Sequence, residues 1–305
     1  MPFPPDEAKL VSIFVQSVLY GVYARLFFET VSVIVRRPSS RPFRRSSIAI
    51  CFLLFIIATT HVSVNFTRII KAFIIHRDEP GGPAAFFNEL SEFTQMFGST
   101  LYVAQTLLGD ALALLRCYLV WEHKLYIIAF PLVLLAGSIA TGIGILYYFD
   151  KVVPQADIFV TQLSHWITAF FSTTFVTNVI CTALVAYRLY LLNRGRPGFR
   201  QRKLAPVLVL MVESGAYYSL TLLLLLILYN VDSWFQYVVL DAVSPIVGIV
   251  FTTIILRIAS GLSTEEGETQ LLPGDTAGGI GLDRMPSRER NSNDMHKDSG
   301  IEDAV

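Results

Sequence analysis

Seven apolar stretches between residues 10 and 259, each long enough to cross a bilayer as a helix, constrain this chain more than any other feature. A hydrocarbon core about 30 Å thick takes roughly 20 helical residues at about 1.5 Å of rise each. The stretches fall at 10–35, 48–75, 93–120, 125–149, 163–192, 204–229 and 234–259. Hydrophobic residues make up 53% of the chain and charged ones only 16%, against about 25% charged in an ordinary soluble domain. The expected fold class is therefore all-α, a polytopic bundle of seven transmembrane helices. A soluble helical core would leave polar faces on its helices, yet 222–228 is apolar on every side. Lipid has to cover that surface.

Basic residues divide the loops into two sets. Arg36, Arg37, Arg41, Arg44 and Arg45 crowd the first loop; Lys124 lies in the third; Arg194, Arg196, Arg200, Arg202 and Lys203 fill the fifth. The opposite side holds Lys9, Arg77 and Lys151. Positive loops stay in the cytoplasm, which predicts an extracellular N-terminus over 1–9, the bundle over 10–259 and a cytoplasmic tail over 260–305. Plasma membrane is the default location for this topology. The opening MPFPPDEAK is proline-rich and acidic, unlike the start of a cleaved signal peptide. The tail, rich in Gly, Ser and Asp, is expected to be disordered because it has little apolar surface to bury. Within it, Arg284 precedes Ser287, and Arg288 and Arg290 precede Ser292, contexts that basophilic kinases read.

The three cysteines, Cys51, Cys117 and Cys181, all fall inside spans, so no outer disulfide is available and each reads as a small buried hydrophobe. The sequon Asn65-Phe66-Thr67 lies inside the second span, beyond the reach of glycosylation. The five histidines, His61, His76, His123, His165 and His296, have no metal-ligand spacing. No P-loop, nucleophile elbow or dinucleotide fingerprint is present, and the last span lacks the lysine that a retinal Schiff base needs. The expectation is a non-enzyme without metal or cofactor, and nothing points to nucleic acid.

Ionisable groups at membrane depth are expensive and mark polar cores or ligand pathways. Five stand out: Arg25, Glu29, Asp110, Glu213 and Asp241. Counted from the cytoplasmic ends, Arg25, Asp110 and Glu213 lie roughly 14 Å deep, level enough to meet. Arg25 and Glu29 are also spaced for a local pair. Arg116, near the inner end of its span, reads as snorkelling to headgroups. Asp241 precedes Ser244-Pro245, where the proline removes a helix hydrogen bond. His165 and Trp166, with Trp234 and Tyr237, are placed to rim an outward-facing pocket, although an aromatic belt puts aromatics at the same depth. Span four carries Gly137, Gly142 and Gly144 among other small residues, a packing face for neighbouring helices or for a homodimer.

Three blocks, GDALALLRCYLVW at 109–121, LVLMVESGAYYSLTLLLLLILY at 208–229 and VSPIVGIVFTTIILRIASG at 243–261, resemble a large family of seven-helix membrane proteins of mushroom-forming fungi that has no assigned activity. The likeness runs over most of 10–261 and implies a receptor-like topology rather than a mechanism. Arg116-Cys117-Tyr118 resembles the Asp-Arg-Tyr element of rhodopsin-like receptors, but Leu115 occupies the acidic position and the last span has no Asn-Pro-x-x-Tyr.

The leading expectation is a receptor-like sensor of a small molecule, lipid or peptide. It would signal to a cytoplasmic G protein or other partner through Arg116, Tyr118, Arg194, Arg196, Arg200, Arg202 and Lys203. A small-solute or lipid transporter using Asp110 and Glu213 is the alternative, and a non-catalytic accessory membrane protein the third reading.

Overall fold

The computed structural model of the chain describes residues 5–36, 41–88, 92–151, 157–194, 199–231 and 233–271. Eight α-helices and one π-helical turn account for most of them, with no strand among the described residues. They are α1 (Pro5–Arg36), α2 (Arg41–Ile70), α3 (Gly82–Asn88), α4 (Phe93–Val120), α5 (Leu125–Lys151), α6 (Asp157–Arg194), α7 (Phe199–Asn230) and α8 (Gln236–Leu271); the π turn, Lys71–Ile75, extends α2. Seven helices, all but the short α3, are long and apolar enough to cross a membrane, over Asp6–Arg36, Arg44–Ile75, Phe93–Val120, Leu125–Phe149, Thr161–Arg194, Pro206–Asn230 and Gln236–Ser260. These agree closely with the spans expected from hydropathy.

The long helices form a closed ring in the order α1, α2, α4, α5, α6, α7, α8, with α8 returning to α1 and α4 reaching across to α6 and α8. The last span is the innermost: 72% of its most apolar window is buried, against 22% to 44% in the other six. Large side chains such as Phe14, Phe28 and Val133 point outward and are mostly exposed, the surface a bilayer would cover.

Glycine permits the closest approaches. A Cβ on Gly248 of α8 would stand 2.5 Å from the Tyr23 ring of α1, and one on Gly144 of α5 would stand 2.6 Å from Trp166 of α6. The small residues of span four thus serve packing within the bundle. Many hydroxyls inside the helices are satisfied locally, as where Thr59, Thr173 and Thr177 donate to the carbonyls of Phe55, Ala169 and Thr173 one turn back, whereas others, such as those of Thr30 and Ser138, have no partner.

α4 begins at Glu92, whose carboxylate accepts from the backbone N–H of Thr94 at 2.9 Å and of Gln95 at 3.2 Å, a side-chain N-cap. The same carboxylate takes the Lys71 ammonium at 2.8 Å from the π turn and the Thr94 hydroxyl. Burial raises the Glu92 carboxyl, but the hydrogen bonds from Lys71 and Thr94 and the Lys71 charge outweigh it and hold the group below its ordinary value. α3 packs on the π turn through Phe86, Phe87 and Ala72.

At the other end of α4 the chain reverses within residues 121–124, where Glu122 and His123 take left-handed φ of 55° and 65°. α8 continues past the composition change at Ser260 to Leu271, through Glu265, Glu266, Glu268 and Gln270, most of them good helix formers. Residues 272–305, with Ser287 and Ser292, lie outside the described residues, as does Arg196 in the fifth loop.

Candidate functional site

A cavity of about 340 Å³ opens within the bundle at the end where the chain begins. It sits among the start of α1, the end of α2, the start of α4, the end of α5, the start of α6, the end of α7 and the start of α8. One wall is polar, with Lys9, His61, Asn65, Arg68 and Asp241; the facing wall is apolar and aromatic, with Phe149, Leu163, Phe170 and Phe171. Its volume falls within the range of small-molecule sites.

The polar wall is built across three helices. Lys9 Nζ of α1 lies 3.2 Å from Asp241 Oδ2 of α8, with side-chain exposures of 11% and 5%. The Ser12 hydroxyl donates to the same oxygen, and the Lys9 ammonium rests 4.3 Å from the centre of the Tyr237 ring. One turn further along α1, Gln16 bridges to α2: its Oε1 accepts from Asn65 Nδ2 at 3.0 Å, and its Nε2 lies 3.0 Å from His61 Nδ1. Because the amide nitrogen is the donor left on Gln16, His61 Nδ1 accepts and the imidazole carries its proton on Nε2. Pro245, one turn after Asp241, has no N–H to bond the Asp241 carbonyl.

Arg68 completes this wall. It is buried, its guanidinium stands 5.7 Å from the Phe87 ring of α3, and its Nε and Nη2 have no hydrogen-bond partner. Asp241 and Glu92 lie close enough for their charges to reach it.

The expected site residues separate into two groups. Asp110 and Asp241 are buried, each in its own network. Asp110 Oδ1 accepts from Asn178 Nδ2 of α6 at 2.6 Å, with the Thr174 hydroxyl beside the carboxyl. Arg25, Glu29 and Glu213 are exposed on the outside of the bundle. The expected meeting of Arg25, Asp110 and Glu213 is therefore corrected: depth was matched, but the buried face of α1 runs through Tyr23, Phe27, Thr30 and Ile34, and Arg25 and Glu29 lie off it. His165 is exposed and does not line the cavity, whereas Tyr237 does. Trp166 stacks on Tyr148 instead, at 6.2 Å between ring centres.

Arg116 does not snorkel. Its guanidinium lies 4.2 Å from the centre of the Phe251 ring of α8, a cation–π contact that draws it inward, and it lines a small cavity of about 20 Å³ with Asn178 and Tyr218. Tyr118 meets His123 edge to face at 4.7 Å. Arg194 is exposed, 3.5 Å from the Tyr190 hydroxyl, and Arg200, Arg202 and Lys203 fall on the opening residues of α7. Cys117 and Cys181 are buried together in the core of this end, as free thiols. Among the described residues no cluster of His, Cys, Asp and Glu could hold a metal ion.

Lys9, Ser12, Gln16, His61, Asn65 and Arg68 were not singled out as a site from sequence. A signal was present: Ser12 and Gln16 are four apart, and His61, Asn65 and Arg68 follow an i, i+4, i+7 spacing that puts them on one face of an otherwise apolar helix. Comparison with family models, curated proteins and solved structures finds no match.

Proposed function

We propose that this chain is a multi-pass membrane sensor, whose cavity takes a small ligand from the non-cytoplasmic side and whose opposite end engages a cytoplasmic partner. The observation that carries the reading is the cavity itself, with buried charges on one wall and aromatics on the other. Toward the other end, among the described residues, the cavity beside Arg116 is far smaller, about 20 Å³. Orientation rests on the loops. Arg36, Arg45, Lys124 and Arg194 stand exposed at the end away from the cavity, as a cytoplasmic face requires. The plasma membrane and the fungal family resemblance belong to the same proposal.

α8 is the element that links the two ends. It carries Asp241 in the cavity wall, Ser244, whose carbonyl accepts from Gln105 of α4 at 3.3 Å, and Phe251 beneath Arg116. A ligand that favours one position of α8 over another shifts the surface around Arg116 and Tyr118. Reconstituted full-length protein, exposed to a small-molecule extract of the cells that make it, is expected to accelerate nucleotide exchange on a heterotrimeric G protein from those cells. Replacing the basic residues of 193–203 should abolish the effect. Failure of every extract fraction to do so would remove the sensor reading.

A transporter is the second reading, favoured by the Asp110–Asn178 bond, which is buried within the bundle with Asn178 on the wall of the smaller cavity. It requires solute flux into proteoliposomes that Asp110→Asn abolishes.

A further inference from the structure

Charge in the cavity wall does not balance. Lys9 is matched by Asp241, and Lys71 by Glu92, while Arg68 has no ion-pair partner among the described residues. Asp241 and Glu92 act on it at a distance only, and both are engaged: Asp241 by Lys9 and Ser12, Glu92 by Lys71, Thr94 and the start of α4. With His61 neutral, one positive charge is left over, on a side chain that is itself buried. An unpaired buried cation is costly, and an anion placed against it removes the cost.

Arg68 is also the right cation for an organic acid. Its side chain lines the cavity, and Nε and Nη2, buried without partners, form the guanidinium edge that takes a carboxylate through two parallel hydrogen bonds once the side chain turns that edge toward the ligand. One surplus positive charge is matched by a monoanion, whereas the second charge of a phosphate dianion would be left uncompensated. The facing wall of Phe149, Phe170 and Phe171 gives an apolar body somewhere to lie. We propose that the cavity binds an amphiphilic monocarboxylate, with its carboxylate on Arg68 and its hydrocarbon or aromatic body against these three rings. This rests on the cavity being a ligand site, as the sensor reading holds, but not on whether occupancy is signalled.

The test uses full-length protein in phosphatidylcholine nanodiscs, with empty nanodiscs to subtract partitioning, and decanoate, decanol, decyl phosphate and acetate as probes in calorimetry. Decanoate is expected to bind saturably, decanol at least about tenfold more weakly, decyl phosphate more weakly than decanoate, and acetate not measurably, since hydrophobic burial and the charge-assisted bond are both needed. Arg68→Gln should lower decanoate affinity about tenfold or more and leave decanol unchanged, while Arg77→Gln, exposed at the same end, should change neither. Decanol binding as tightly as decanoate, decyl phosphate binding more tightly, no decanoate binding, or indifference to Arg68→Gln would each overturn the proposal. If Arg68→Gln fails to fold, the ratio of decanoate to decanol in the unaltered protein still decides. Decanoate binding, together with failure of every extract fraction to accelerate nucleotide exchange, would leave the site standing and remove the sensor.

Discussion

Lys9 Nζ and Asp241 Oδ2, separated by 232 residues in sequence, stand 3.2 Å apart and tie the first helix to the last. With both side chains nearly buried, removing one partner leaves the other charge without compensation. Asp241→Asn is expected to destabilise the bundle by about 3–5 kcal/mol. Lys9→Met combined with Asp241→Asn should recover most of that loss, because no lone charge is left behind. Denaturation in mixed micelles across the double-mutant cycle measures both effects.

Helix contact makes a second, charge-free prediction. Gly248 has the Tyr23 ring where a side chain would stand, whereas a Cβ on Gly21 meets nothing within 4 Å. Gly248→Val should cost about 1–3 kcal/mol by overpacking. Gly21→Ala should be neutral or stabilise by up to about 1 kcal/mol through helix propensity. Thermal unfolding of the two variants side by side checks the contrast.

Acid should loosen the start of α4. The Glu92 carboxyl is held below its ordinary value of 4.5 in the folded protein, so the unfolded chain takes up its proton first as pH falls. The stabilisation is complete above pH 4.5, declines below it, and is gone once pH has passed through the lower folded value. Amide exchange at Thr94 and Gln95 should quicken below that point. Glu92→Ala should show fast exchange already at neutral pH, with a loss of about 1 kcal/mol from the missing cap.

The Asp110–Asn178 bond separates a structural tie from a transport site. Asn178→Leu orphans a buried carboxyl and should cost about 1–3 kcal/mol. On the sensor reading it leaves decanoate affinity unchanged, since neither residue lines the larger cavity. Calorimetry on the folded variant reads this out.

Much of the bundle was legible because a run of about 20 apolar residues has few alternatives to a membrane helix. Depth was legible too, which is why Asp110 and Asp241 were found. Which face a residue occupies is a weaker signal in a helix that is apolar all round: Glu213 and Arg25 have the right depth and the wrong azimuth. Lys9 reads as a loop residue because the first apolar run starts at Leu10, and only α8 folding back onto α1 brings it beside Asp241. Arg68 met the same criterion as Asp110, an ionisable group inside an apolar run, but its neighbours His61 and Asn65 are what make it part of a wall. The cavity itself depends on seven helix ends meeting, and no local pattern encodes that.

Membrane orientation is tested most directly by accessibility from outside intact cells. In a background lacking the three native cysteines, all buried, single cysteines are placed at Asp78, exposed at the cavity end, and at Lys124, exposed at the other. A membrane-impermeant maleimide should label Asp78→Cys on intact cells and Lys124→Cys only after permeabilisation. Labelling of Lys124→Cys on intact cells, with Asp78→Cys protected, would put the cavity on the cytoplasmic side and contradict the sensor.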